Sequence, residues 1–125
     1  MHVADPWQVP TTVFLYTLHP TRLAMLTEGA TPAEQALAAQ HWAYSRDLLE
    51  RGIVIFAGRT LARDADSFAT VVIRAESAAA ARSIMQGDPA VRGGLFRARL
   101  YAYQPMLMGA WPREAVTVDA PEGSR

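Results

Sequence analysis

One histidine stands where an apolar residue is expected. Residues 33–52, AEQALAAQHWAYSRDLLERG, read as an amphipathic helix at about 100° per residue. Leu37, His41, Tyr44 and Leu48 then fall along one stripe, with Ala38, Trp42, Ser45 and Leu49 beside it. Gln35, Gln40, Arg46, Asp47, Glu50 and Arg51 lie outside that arc. His41 is therefore expected near the middle of the buried face. A buried imidazole without a hydrogen-bond partner is costly. Two readings stay open: a structural histidine satisfied by a backbone carbonyl, Tyr16 or Tyr44, or a general acid or base, since imidazole titrates near neutral pH.

Asp88, in the segment GDPAVRGG, is the candidate second member. Placed between a helix-stopping glycine and Pro89, it can equally serve as a turn former or cap. If the end of a second helix brings it to His41, its carboxylate fixes one ring nitrogen and leaves the other for a substrate proton. Arg22 and Arg59, at strand ends, are candidates to hold an anionic substrate group; ordinary surface ion pairs are the alternative. Tyr16 and Tyr44 are candidate lining residues, although aromatic residues at such spacings are usually core.

Composition narrows the chemistry. The chain has 125 residues, no Cys and no Lys, so all 12 cationic side chains of that class are Arg. Thiolate nucleophiles, thiolate-bound zinc, iron–sulfur clusters and lysine Schiff bases are excluded. The three histidines show no ligand spacing, and no glycine-rich phosphate loop follows a strand, so no metal and no nucleotide cofactor is expected. A net charge of zero without a basic block argues against nucleic acid. No apolar run is long enough for a membrane span, and the first ten residues lack the pattern of a secretory signal. A cytoplasmic location is expected, with a small molecule as the partner.

The elements that must position these residues follow. Residues 1–11 read as an arm, 12–109 as one domain and 110–125 as a tail. Residues 11–19, 53–60, 67–75 and 95–105 read as strands. A single helical turn is expected near Leu23–Leu26. The long helix starts at a capping box of Thr31 and Glu34 with Pro32 inside it, and Gly52 stops it. A second, alanine-rich helix spans 78–86, capped by Ser77 and ended by Gly87. Strand, helix, strand, strand, helix, strand is the ferredoxin-like βαββαβ pattern: an α+β fold with a four-stranded antiparallel sheet and two helices on one face. Val13 and Leu15 oppose Phe14, Tyr16 and Leu18; Ile53 and Ile55 oppose Val54 and Phe56; Phe68 and Val72 oppose Val71 and Ile73. Both sheet faces are thus apolar, while helices cover one, so a homodimer of the α/β-barrel type, packed sheet to sheet, is expected.

His41, Gly52, the strand ending Ala57-Gly58, Asp88-Pro89 and Gly94, together with FLYTLHPTR, MLTEGATPAEQ and GIVIFAGRT, resemble the YCII-related (YciI-like) family over residues 12–109. The resemblance implies a dimeric ferredoxin-like domain with a His–Asp site, to which His41 and Asp88 correspond. Relatives often have Pro at the position of Arg59 and an aromatic residue at Ala90, which implies a more open or more cationic pocket here. A cofactor-free lyase, isomerase or dehydrochlorinase acting on a small organic acid or phenol is the leading expectation. A small-molecule-binding or regulatory module without turnover is the alternative.

Overall fold

The computed structural model describes residues 12–110. The expected arm at 1–11 and the tail beyond 110 lie outside the described residues. Strands β1 (Val13–Pro20), β2 (Val54–Arg59), β3 (Ala69–Arg74) and β4 (Phe96–Ala102) form one antiparallel sheet in the order β2-β3-β1-β4. Between them run helices α1 (Ala24–Thr27), α2 (Pro32–Glu50), α3 (Ala78–Gly87) and α4 (Pro89–Arg92). The fold is α+β. No helix among the described residues is long and apolar enough to cross a membrane.

Strand β1 alternates strictly, with Phe14, Tyr16 and Leu18 buried and the residues between them half-buried. Register carries the same face across the sheet, pairing Tyr16 with Val71 and with Leu100. Onto it pack Leu48 of α2 and Ala81 and Met85 of α3, which complete the core.

The opposite face carries Leu15 and Val72 at its centre, Phe56 at 55% exposure and Tyr101 at 41%. One expectation fails here. Val54 and Phe56 do not share a face, because the register shifts between them: Val54 pairs with Ile73 and Phe56 with Val72. A bulged residue, Ile55, breaks the two-residue alternation and turns Phe56 outward.

Helix α2 begins as its sequence requires. Thr31 accepts from the Glu34 amide while the Glu34 carboxylate accepts from the Thr31 amide. The same carboxylate receives Arg22 Nε at 2.9 Å, and Arg22 also donates to the Gly29 carbonyl. Glu34 is held down at about 2, first by the Arg22 hydrogen bonds and then by the Thr31 amide. Arg22 thereby ties the end of β1 to the start of α2. Along α2 the buried stripe is narrower than expected: Trp42 is 65% exposed and Leu49 55%. Only Leu37, His41, Tyr44, Ser45 and Leu48 turn inward with Glu34, because the helix meets its neighbours along a single ridge.

That ridge fits the α3–α4 junction, where of the two local roles open to Asp88, turn former or cap, it takes the cap. Asp88 ends α3 and caps α4, with Pro89 in the first helical position. Leu37 lies over Gly93 and Tyr44 over Gly87, one on each side of His41. A Cβ at Gly93 would collide with Leu37 Cδ2 and come within 3.0 Å of the Pro89 carbonyl. One at Gly87 would come within 2.8 Å of the Tyr44 hydroxyl. Two absent side chains thus let α2 approach closely enough for His41 to reach Asp88. Gly93→Ala is expected to destabilise the fold by about 1–3 kcal/mol through overpacking against backbone. Denaturant unfolding checks this; a variant as stable as the parent would show that α2 yields freely.

Candidate active site

His41 Nδ1 lies 2.7 Å from Asp88 Oδ2 and 2.9 Å from Oδ1. The two residues are 47 positions apart and come from α2 and from the α3–α4 junction. Asp88 is wholly buried, whereas the His41 side chain keeps 20% exposure. The carboxylate's other partners are local and from below. Oδ1 accepts from the Ala90 amide at 2.9 Å, the capping bond of α4. The Tyr16 hydroxyl approaches Oδ2 at 3.4 Å from the central strand β1, a long bond.

This arrangement orients the ring. An ionised carboxylate only accepts hydrogen bonds, so Nδ1 carries the donated proton and the neutral ring presents a lone pair at Nε2. Among the described residues Nε2 has no hydrogen-bond partner. Phe96, at the start of β4, meets the ring edge-on at 5.8 Å between centroids and 76° between planes. The imidazole is thus gripped on one nitrogen, braced on one side and without a hydrogen-bond partner at the other nitrogen among the described residues. Such a group can take a proton at Nε2, with the Asp88 charge stabilising the cation that forms.

The tyrosines do different work. Tyr16 is fully buried, and its phenol is pushed well above its usual range, first by burial and then by the negative charge of Asp88. It remains a neutral donor beneath the carboxylate. Tyr44 is raised in the same direction, by burial first and Asp88 second, and its hydroxyl donates to the Ile84 carbonyl at 2.8 Å. That bond ties α2 to α3. Arg22 has its guanidinium on Glu34, two helical turns (about 10 Å) from His41 along α2. Arg59 is exposed at the end of β2, an edge strand separated by β3 and β1 from the β4 that carries Phe96. The fold therefore gathers His41, Asp88 and Tyr16, keeps Tyr44 one turn away, and leaves the two arginines apart.

Phe96 and Gly93 join the site without having been singled out, and Gly87, read as a helix stop, also seats Tyr44. The signal for Phe96 was its place in the alternation Phe96, Ala98, Leu100, which sets it on the helix-covered face. For the glycines, only knowledge of what packs over them reveals the role. Among the described residues no three His, Cys, Asp or Glu side chains cluster to hold a metal ion.

A model of the YCII-related domain matches residues 13–103. A search of curated proteins returned no match. Among solved structures the chain is similar to a 5-chloro-2-hydroxyhydroquinone dehydrochlorinase from Burkholderia phenoliruptrix AC1100, solved in complex with 2,5-dihydroxybenzoquinone. The TM-score is 0.53 at 19% identity, covering 73% of this chain and 93% of that one. At that identity the likeness is one of fold.

The buried phenol has a measurable consequence. In the unfolded chain Tyr16 ionises near its ordinary value of 10.0, whereas in the folded protein it stays protonated. The unfolded state then binds fewer protons, so stability falls as pH rises past about 10. With neither Lys nor Cys in the chain, tyrosines are the side chains that titrate there. Tyr16→Phe is expected to lose about 0.5–1.5 kcal/mol near neutrality and to flatten this alkaline decline. Unfolding free energies measured across that range check it, and an unchanged slope would refute the assignment to Tyr16.

Proposed function

The chain belongs to the YCII-related family, and from that premise we propose that it is a small enzyme that moves a proton with a His–Asp dyad. The observation that carries this reading is the short pairing of His41 Nδ1 with a wholly buried Asp88, which leaves Nε2 without a protein partner among the described residues. A purely structural histidine would be expected to engage both ring nitrogens or to point its free one into apolar packing.

The substrate class is a small organic acid or phenol, and the reaction an isomerisation or an elimination. Nε2 accepts a proton from a C–H or O–H bond of the substrate. The pair freed from that bond forms a new π bond. In an elimination the leaving group, chloride in the dehydrochlorinase form, departs with its own bonding pair. In an isomerisation His41 returns the proton to a different atom. Asp88 holds the ring and stabilises the imidazolium, and Tyr16 keeps the carboxylate in place. Arg59 lies three strands away from the β4 that carries Phe96, and Arg22 is held on Glu34, so within one chain neither guanidinium is beside a small substrate at His41. Every step is assigned to this chain's own side chains, without a cofactor. The similar dehydrochlorinase guides the choice of chlorinated hydroquinones as first substrates to try.

Assembly belongs to the same reading. The order β2-β3-β1-β4 supports a ferredoxin-like description. The face with Leu15, Val72, Phe56 and Tyr101 supports sheet-to-sheet pairing of two copies; a cytoplasmic location is proposed with it. Leu15→Arg is expected to shift the sedimentation mass from two chains to one; a parent protein that sediments as one chain would refute the pairing.

The catalytic test uses a panel of enolisable acids and chlorinated phenols. On any substrate turned over, His41→Ala is expected to lower kcat by about 10² to 10⁴-fold. Asp88→Asn should lower kcat with little change in KM. Equal turnover by both variants would remove the dyad from the chemistry. Ligand-induced melting shifts without product would instead identify a binding or regulatory module.

A further inference from the structure

A second cluster of polar groups converges on the sheet face away from the helices. Strands β1 and β4 pair His19 with Arg97, so both side chains rise from the same face as direct neighbours. They line a cavity of about 220 Å³ together with Pro20, Thr21, Leu23 and Ser67. The His19 ring lies nearly parallel to Phe68, 5.7 Å between centroids and 23° between planes. Leu23, 43% exposed, adds an apolar edge.

The charges of this cluster are unanswered. The sheet residues of this face include Arg74, Arg97, Arg99 and His19 and no acid. Among the described residues no carboxylate pairs with Arg97. Asp64 and Asp66 sit in the neighbouring β2–β3 connection, beside the lining residue Ser67; the Asp64 carboxylate accepts the Asp66 amide at 2.9 Å, and neither acid comes within ion-pair distance of Arg97. The Thr21 hydroxyl is spent on the Gly94 carbonyl at 2.7 Å. That leaves the Arg97 fork, the His19 ring and the Ser67 hydroxyl as the donors available to a guest. A guanidinium matches a carboxylate through two parallel hydrogen bonds. The flat His19–Phe68 wall favours a planar body beside it. At about 30 Å³ per water, the volume holds about seven waters, room for one ring bearing one carboxylate.

We propose that this end of the outer sheet face is a binding site for a small aromatic carboxylate, gripped by Arg97 and Ser67 and laid against His19 and Phe68. It is separate from the His41 site. Phe96, the neighbour of Arg97, sits in the row of buried Pro20 and meets His41 on the helix-covered face. His19 lies four residues along β1 from Leu15, about 13 Å, so the proposed site borders the centre of the proposed pairing face.

The experiment titrates benzoate into the full chain and follows binding by calorimetry and by backbone NMR shifts. Saturable binding is expected, with shifts at His19, Ser67 and Arg97. Arg97→Gln should weaken it at least tenfold, while Arg97→Lys, which keeps charge without the fork, should recover part of the loss. Cyclohexanecarboxylate and inorganic phosphate should bind more weakly than benzoate. Benzoate should leave the backbone shifts of His41 and Asp88 unmoved, which separates this proposal from the dyad reading. No saturable binding, equal binding by Arg97→Gln, phosphate as tight as benzoate, or shifts centred on His41 and Asp88 would each overturn it.

Discussion

A carboxylate removed from water costs several kcal/mol unless its oxygens are answered by donors and charge. Asp88 is removed completely, and much of the fold is arranged around answering it. The Ala90 amide is supplied by the start of α4, the imidazole by the middle of α2, and a more distant phenol by the central strand. Three separate elements meet at two oxygens. Breaking any one leaves the others holding a group that the interior does not tolerate, which is why the junction behaves as a fixed point for α2, α3 and β1 together.

The same fixed point accounts for the shape of the first helix contact. Leu37 and Tyr44 lie one turn to either side of His41 and seat over glycines, so the ridge of α2 is clamped above and below the polar pair. Close approach makes the 2.7 Å contact attainable; the contact in turn compensates for a histidine on a face that would otherwise take leucine. Trp42 and Leu49, a quarter turn away, gain nothing from this clamp and stay in solvent. At the far end of the ridge Glu34 serves cap and ion pair at once, binding the helix start to the strand before it.

The two faces of the sheet have different logic. The covered face is an alternation of apolar residues that ends in Phe96, the brace of the imidazole. The other combines an apolar centre with arginines toward its ends, and it has no acid among its strand residues. That composition suits contact with another surface at the centre and recognition of anions at the margin.

Much of this was written in local patterns. Runs of β-branched and aromatic residues marked four strands, the Thr31–Glu34 box marked the start of α2, and the helical stripe set His41 among Leu37, Tyr44 and Leu48. These depend on neighbours a few residues away, so the sequence by itself determined them, along with the exclusion of thiol and lysine chemistry. The bulge at Ile55, the exposure of Trp42, the engagement of Arg22 by Glu34 and the fit of Gly93 beneath Leu37 were decided by tertiary structure. Each depends on what a distant segment places opposite the residue. The His41–Asp88 contact belongs to that second kind. Spacing can put a histidine on the inner face and a carboxylate at a helix end, but only packing determines whether a separation of 47 positions closes to 2.7 Å.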